Sequence, residues 1–165
     1  MKQVKKFAPL AAAVLGFVAV VMIFFASIVL VQNNGFYTGL QVVFGLVRES
    51  TLGTKIVIIG FNFFNLLPYL FAIAGIVVCL LNFLGKGKPV FVWIAVGCFA
   101  LAALFFFLTI PLFWAPTFEG GTAAEIDELK AKFLALGVGP IVSGICSILA
   151  ALATATPFVL DKLGK

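Results

Sequence analysis

Four long stretches of this 165-residue chain, residues 7–31, 56–84, 89–118 and 133–160, contain no Asp, Glu, Lys or Arg. They run 25, 29, 30 and 28 residues. A helix rising ~1.5 Å per residue crosses a ~30 Å hydrocarbon core in about 20 apolar residues, so each stretch is long enough to span a bilayer. Charge flanks each of them, except that the first ends in the polar run Gln32-Asn33-Asn34. The composition agrees: 64% of residues are hydrophobic and 10% charged, against roughly 45–50% and 25% in soluble domains. The spans leave no room for a separate soluble domain, so residues 1–165 are expected to form a single integral membrane domain. The fold class predicted is all-α, a polytopic membrane four-helix bundle.

The formal charge of +5 does not point to nucleic acid. Its basic residues sit in twos and threes at span ends, which is the pattern of topology signals rather than of a phosphate-binding face. Lys2, Lys5 and Lys6 before an apolar run resemble the start of a secretory signal. The run is far longer than the ~7–15 residues of a signal core, so an uncleaved first span is expected.

Orientation follows from the charges. The N-terminus, the second loop (Lys86, Lys88) and the C-terminus (Lys162, Lys165) carry seven basic residues against one acid, Asp161. The first and third loops carry four basic residues (Arg48, Lys55, Lys130, Lys132) against five acids (Glu49, Glu119, Glu125, Asp127, Glu128). Lys and Arg are retained on the cytoplasmic side. Both termini are therefore expected to be cytoplasmic, in a multi-pass protein of the cell membrane. Gly85-Lys86-Gly87-Lys88-Pro89 reads as a tight inner turn, with Gly ending one helix and Pro starting the next.

The first outer segment is too apolar for a plain linker. Phe36, Tyr37, Leu40, Val43, Phe44 and Val47 make it a candidate interaction surface. Its β-branched and aromatic residues, broken by Gly35, Gly39 and Gly45, suit a hairpin. Equally, Leu40, Val43, Phe44 and Val47 fall on the stripe of an amphipathic helix. Periodicity leaves the two open. In the second outer segment Gly120-Gly121 breaks the third helix, and Thr122-Ala123-Ala124-Glu125 has the form of a capping box. With Ile126, Leu129 and Phe133 as its apolar face, this predicts a short amphipathic outer helix from about Ala123 that leads into the fourth span, bent near Gly137, Gly139 and Pro140.

Within the spans lies no charged residue, and the chain has no histidine. Ion-coupled transport, proton relays and metal chemistry ordinarily need ionisable groups at depth. No catalytic, cofactor-binding or metal-binding residue is assigned and no cofactor is expected. Ser143 and Ser147 have no candidate base beside them. The second span holds the densest polar set, with Asn62, Asn65 and Tyr69 spaced to share one helix face. Amides in lipid need hydrogen bonds, so this face points into the bundle or to a partner, as structural glue or as the lining of a path. On the fourth span, Gly139, Ser143, Ser147, Ala151 and Ala155 recur every fourth residue. Such a ridge of small side chains lets two helices approach closely, within the chain or between copies. Phe105, Phe106 and Phe107 of the third span face lipid or fill the core. Cys79, Cys98 and Cys146 lie within spans and are expected to be inert packing residues.

The order of short basic N-terminus, first span, larger outer loop, second span, tight inner turn and second outer loop resembles the layout of claudins and related tetraspan proteins. The claudin signature of Gly-Leu-Trp and a cysteine pair in the first loop is absent; the nearest match is Gly39-Leu40-Gln41. The Cys-Cys-Gly motif of tetraspanins is also missing. Junction sealing and ion selectivity therefore do not carry over. In its lysine-rich ends, short inner turn and Phe-, Leu- and Ile-rich spans, the chain is similar to small, uncharacterised four-helix membrane proteins of bacteria.

These readings together predict a non-enzymatic integral membrane protein, a subunit or scaffold of a membrane assembly acting through its outer surface and helix packing. Its partners would be the bilayer and a membrane protein or a second copy. The alternative is a small oligomeric channel or transport protein lined by the polar face of the second span. The orientation is checked by single cysteines placed in a background lacking Cys79, Cys98 and Cys146. An impermeant maleimide should label Glu128→Cys in intact cells and Lys86→Cys only after permeabilisation.

Overall fold

The computed structural model describes residues 2–32, 34–49, 55–116 and 121–163. Four helices are long and apolar enough to cross a membrane: α1 (Lys2–Val21), α3 (Phe63–Phe83), α4 (Pro89–Phe107) and α6 (Val138–Leu163). Helix α1 packs against α3 and α6, and α4 packs against the same two. Between these long elements the chain also forms β1 (Ala26–Leu30), β2 (Phe36–Thr38), α2 (Gly39–Phe44), β3 (Leu46–Glu49), β4 (Lys55–Ile59), α5 (Ala123–Phe133) and β5 (Leu134–Leu136).

The chain is mostly helical, as expected, but strands interrupt the all-α pattern and shorten the first, second and fourth predicted spans, while turns shorten the third. Residues 26–30 were expected to finish the first span. Instead the helix tightens into a 3₁₀ turn at Met22–Phe24 and gives way to β1. Strand β1 is the centre of a three-stranded antiparallel sheet ordered β2-β1-β5. Ile28 lies opposite Tyr37 on one side and Leu136 on the other. Residues 56–59, expected in the second span, belong to β4, which pairs with β3 in a separate two-stranded ribbon. The third span ends at Phe107, and the following residues turn through Leu112. Its predicted end at Phe118, and Gly120 of the expected break, lie outside the described residues. The first, second and fourth charge-free runs each contain both helix and strand, and absence of charge does not separate them. The β-branched clusters Ile28-Val29 and Ile56-Val57-Ile58-Ile59 do favour strand.

The opposite end of the helices is simpler. Helix α3 closes at Leu84, Gly85 takes a positive φ of 72°, and Lys86 N–H donates to the Leu81 carbonyl. Pro89 then opens α4 at a first-turn position where its missing N–H is not needed. Lys86 and Lys88 are exposed. One end of the helices thus has a tight turn, and the other carries all the strands among the described residues, with α2 and α5.

Packing between the helices depends on large residues from α4 set into small residues of its neighbours. Phe99 is fully buried with Ala12, Ala13, Cys79, Ala95 and Ala150. A Cβ at Gly75 would come 2.9 Å from the Phe99 ring, and one at Gly16 would come 2.8 Å from it. Nearer the capped end, Phe106 is buried with Ala19, Val43, Tyr69, Ala72 and Ala102, its ring meeting Tyr69 edge-on at 5.0 Å. The Phe105–Phe107 triplet therefore divides by helix geometry. Phe106 fills the core, Phe105 stacks on Phe71 at 5.9 Å, and Phe107 is exposed on the flank. A third cluster of Ile28, Val42, Ile59, Phe113 and Ala115 forms the core of the cap itself.

Close packing of this kind leaves no slack for an added methyl group. Gly75→Ala should destabilise the protein by about 1–3 kcal/mol, the usual range for overpacking. Phe99→Leu in the same chain should recover part of that loss. Thermal unfolding in detergent checks both, and the recovery identifies the Gly75–Phe99 contact as the cause.

Candidate functional site

The first outer segment uses both of the structures that its sequence left open. Thr38 closes β2 and caps α2: its Oγ1 accepts from Gln41 N–H at 3.4 Å, and Gln41 Oε1 accepts from Thr38 N–H at 2.9 Å. This reciprocal pair is a capping box. Thr38-Gly39-Leu40-Gln41 carries its pattern, a signal available in the sequence. Helix α2 ends at Gly45, where φ is 94°, so Val47 belongs to β3 and the expected four-residue stripe does not form. Val43 is buried in the helical core and Val42 in the cap core. Of the six residues expected on the outer surface, Phe36, Phe44 and Val47 are exposed, and Tyr37 and Leu40 are partly covered. Val43 is 1% exposed and lies inside.

The three polar residues of the second span are all buried, Asn65 and Tyr69 within α3 and Asn62, contrary to expectation, just ahead of it. Asn62 precedes α3 as its N-cap, accepting from Asn65 N–H at 3.3 Å. Its Nδ2 donates to the Leu112 carbonyl at 2.8 Å, and its own N–H donates to Val43. Asn65 Nδ2 reaches the Thr109 carbonyl at 3.4 Å. Thr109 in turn donates to Phe106 at 2.7 Å. Asn62 and Asn65 thus join the start of α3 to the turn after α4, where α4 has run out of intrahelical donors. Tyr69 lies one turn deeper against Phe106. Asn65 Oδ1 and Ser147 Oγ are buried without a hydrogen-bond partner among the described residues.

On α6 the small-residue ridge meets α1. A Cβ at Gly139 would stand 3.0 Å from the Ala26 carbonyl, and Ser143 Oγ donates to the Ala19 carbonyl at 2.8 Å. Ser143 and Ser147 are fully buried. Ala151 packs at the edge of the Phe99 cluster, and Ala155 is partly covered. Thr154, one residue off the ridge, is buried; its hydroxyl lies 3.4 Å from Cys79 Sγ and bonds the Ala150 carbonyl.

The capping box of the second outer segment forms as its sequence predicts. Thr122 N–H and Oγ1 both reach Glu125 Oε2 at 2.8 Å, and Glu125 N–H donates to Thr122 Oγ1. Those hydrogen bonds hold the Glu125 carboxyl below the ordinary glutamate range. Helix α5 does not run into α6, however. Leu134–Leu136 leaves it as strand β5 to pair with β1, and α6 begins at Val138. The face of α5 is rotated as well. Leu129 is exposed, whereas Lys130 is only 8% exposed and donates from Nζ to the Pro111 carbonyl at 2.9 Å. Burial pushes the Lys130 ammonium below the ordinary lysine pKa, while the nearby Asp127 charge acts in the other direction.

Lys130 also lines a cleft of about 490 Å³ at the junction of cap and helices. Asn62 and the carbonyl-bearing segment Pro111-Leu112 contribute polar atoms, and Phe61, Phe63, Phe64, Phe113 and Trp114 form the walls. Sequence reading did not find this cleft. A lysine inside an acid-rich amphipathic helix reads as solvated, and only the fold brings Pro111 to it. No group of three His, Cys, Asp or Glu capable of holding a metal occurs among the described residues. Set against known proteins, the chain matches no protein-family model, no curated protein and no solved structure.

The Asn62 amide makes a cap and a cross-link at once. Asn62→Ala should therefore exceed the ~1 kcal/mol typical of a lost N-cap alone, and Asn62→Ser, which keeps a cap acceptor but loses the Leu112 donor, should be intermediate. Chemical or thermal unfolding in detergent ranks the three proteins.

Proposed function

We propose that this protein is a non-enzymatic, multi-pass integral membrane protein that serves as a subunit or scaffold of a membrane assembly, contacting its partner through the capped end. In this reading the helices form a four-helix bundle, both termini face the cytoplasm, and the cap stands outside the cell membrane. The observation that carries it is the apolar display of the β3–β4 ribbon. Val47 and Val57 lie directly opposite each other in register and are 54% and 49% exposed. Two positions further along the same face, Glu49 is paired with Lys55. Phe44 and Phe61 extend the apolar surface at the base of the ribbon. Exposed apolar patches rimmed by charge mark interaction surfaces, and a two-stranded ribbon gains much of its stability from what it packs against.

The channel reading has weaker support. The amides of Asn62 and Asn65 are engaged by carbonyls at the junction with the cap, and hydrogen bonds between helices in lipid are ordinarily structural.

Purification in mild detergent should yield a particle larger than the monomer. Val47→Thr with Val57→Thr, which keeps β propensity while lowering apolarity, should shift it toward monomer without loss of helical signal. A native protein that is monomeric, with nothing co-purifying, removes the assembly role. Solute flux in liposomes that is lost on Asn65→Leu would establish the channel instead.

A further inference from the structure

Exposed aromatic rings gather at one level where the long helices meet the cap. Ala19, Tyr69 and Phe106 share one buried layer. Phe24 and Phe25 follow Ala19 by five and six residues, and Phe64 and Phe63 precede Tyr69 by five and six. At ~1.5 Å per helical residue, both pairs stand roughly 8 Å outward from that layer. Phe61 and Trp114 adjoin Phe63 and Phe64 across the cleft. All six rings are 45–63% exposed. They come from the end of α1, the start of α3 and the segment after α4. Because α1 and α4 both pack against α3 and α6, these three sources lie at different corners of the molecule. One protein partner would cover one side, whereas rings spread over several corners at a common height suit a surrounding lipid boundary. The backbone places that boundary independently. Helix α4 gives way to a turn over residues 108–112, whose Thr109 and Leu112 carbonyls are bonded by Asn65 and Asn62, and strands replace long helices beyond it. Non-helical backbone is not tolerated where it is exposed to hydrocarbon, so the hydrocarbon ends at this level.

We infer that Phe24, Phe25, Phe61, Phe63, Phe64 and Trp114 form a collar that seats the cap on the headgroup–acyl boundary of the adjoining leaflet, and that Trp114 ties the root of the β3–β4 ribbon to this boundary. An indole suits such a position because its ring is apolar and its N–H polar. The tie to the ribbon is a direct contact. Gly60 follows β4 at the root of the ribbon, and a Cβ there would come 2.5 Å from Cζ3 of Trp114. The ring therefore lies flat against a backbone position that only glycine leaves open, while 45% of the residue stays exposed on its outer side. On the other strand, Gly45 precedes β3 with a φ of 94°, and a Cβ there would meet the Ile59 carbonyl at 2.7 Å. Both strands of the ribbon thus leave the body through tightly packed glycines, one of them covered by the collar. This seat requires helices that cross a bilayer but no partner on the ribbon, so loss of the assembly role would leave it intact.

The chain has two tryptophans. Trp93 meets Phe158 edge-on near the turn end, so Trp93→Phe leaves Trp114 as the reporter. The full chain would be reconstituted in nanodiscs of phosphatidylcholine brominated either high or low on its acyl chains. Half of a ~30 Å hydrocarbon core sets the boundary ~15 Å from the bilayer centre, so the high bromines should quench Trp114 about twofold more strongly than the low ones. Equal or stronger quenching by the low bromines, or no quenching by either, overturns the collar. The tie is read from a nitroxide on Val57→Cys in a chain lacking Cys79, Cys98 and Cys146. Trp114→Ala should raise the mobility of that label, and Trp114→Phe should change it less. Unchanged mobility in Trp114→Ala overturns the tie. If Trp93→Phe does not fold, the quenching lost from the native chain on Trp114→Phe gives the same depth comparison. If Trp114→Ala does not fold, Gly60→Ala, which displaces the ring from the other side, takes its place with the same two outcomes.

Discussion

The pairing of β1 on both of its edges holds the capped end together. Residues 26–30 leave α1 at the level where a helix would otherwise end with unsatisfied carbonyls. By pairing with β2 and β5, β1 meets its own backbone hydrogen-bonding needs and fixes three other elements. Strand β5 connects directly to α6, so its register with β1 sets where α6 begins beside α1. The close approach of Gly137 and Gly139 to Ala26 follows from that register, and so does the Ser143 bond to Ala19. On the other edge, β2 leads within one residue into α2, whose Val43 reaches the helical core and whose Val42 reaches the cap core. Backbone pairing at the rim thus determines which side chains meet several turns deeper.

Much of this was legible in the sequence, but unevenly. Absence of charge located four helices long and apolar enough to cross a membrane, because burying an ion in hydrocarbon is expensive whatever the local conformation. The same insensitivity hid the strands: Ile28 and Ile59 are as acceptable to a charge-count as Leu66 or Leu101. Local chemistry gave firmer boundaries where it was read. Thr122 and Glu125 form their box, and Gly85 and Pro89 frame their turn. Thr38 and Gln41 offered the same type of signal, and it places α2 where periodicity had suggested a longer stripe ending at Val47. Asn62 was misplaced for a related reason. An i, i+3, i+7 spacing describes a shared face only if all three residues are helical, and an Asn at the head of an apolar run is equally a cap.

The cleft was illegible for a different reason. Lys130 has charged neighbours at Asp127, Glu128 and Lys132, and its sequence environment is that of a solvated helix. Its burial depends on β5 turning the chain away after Phe133, which orients α5 so that Ile126, Lys130 and Phe133 face the cap and Leu129 faces outward. A lysine tolerates such a position because its four-carbon stem packs as a hydrophobe while its ammonium reaches a carbonyl. Only long-range pairing brings Pro111 and Lys130 together, and no local pattern encodes that.

The chain contains its own comparison for how much structure a connection requires. Residues 84–88 join two antiparallel helices with one glycine turn and a proline start, and connections of a few residues are common between packed helices. At the capped end, the described residues form five strands and two short helices that do more than join α1 to α3 and α4 to α6. They bury a separate apolar cluster, hold half-exposed valines in register on a ribbon, and draw an ammonium inside although an exposed position lay one residue away on the same helix. The sharp contrast between the two ends of the helices thus comes from what the chain builds at each: a five-residue turn at one, and a separately packed layer of strands and short helices at the other.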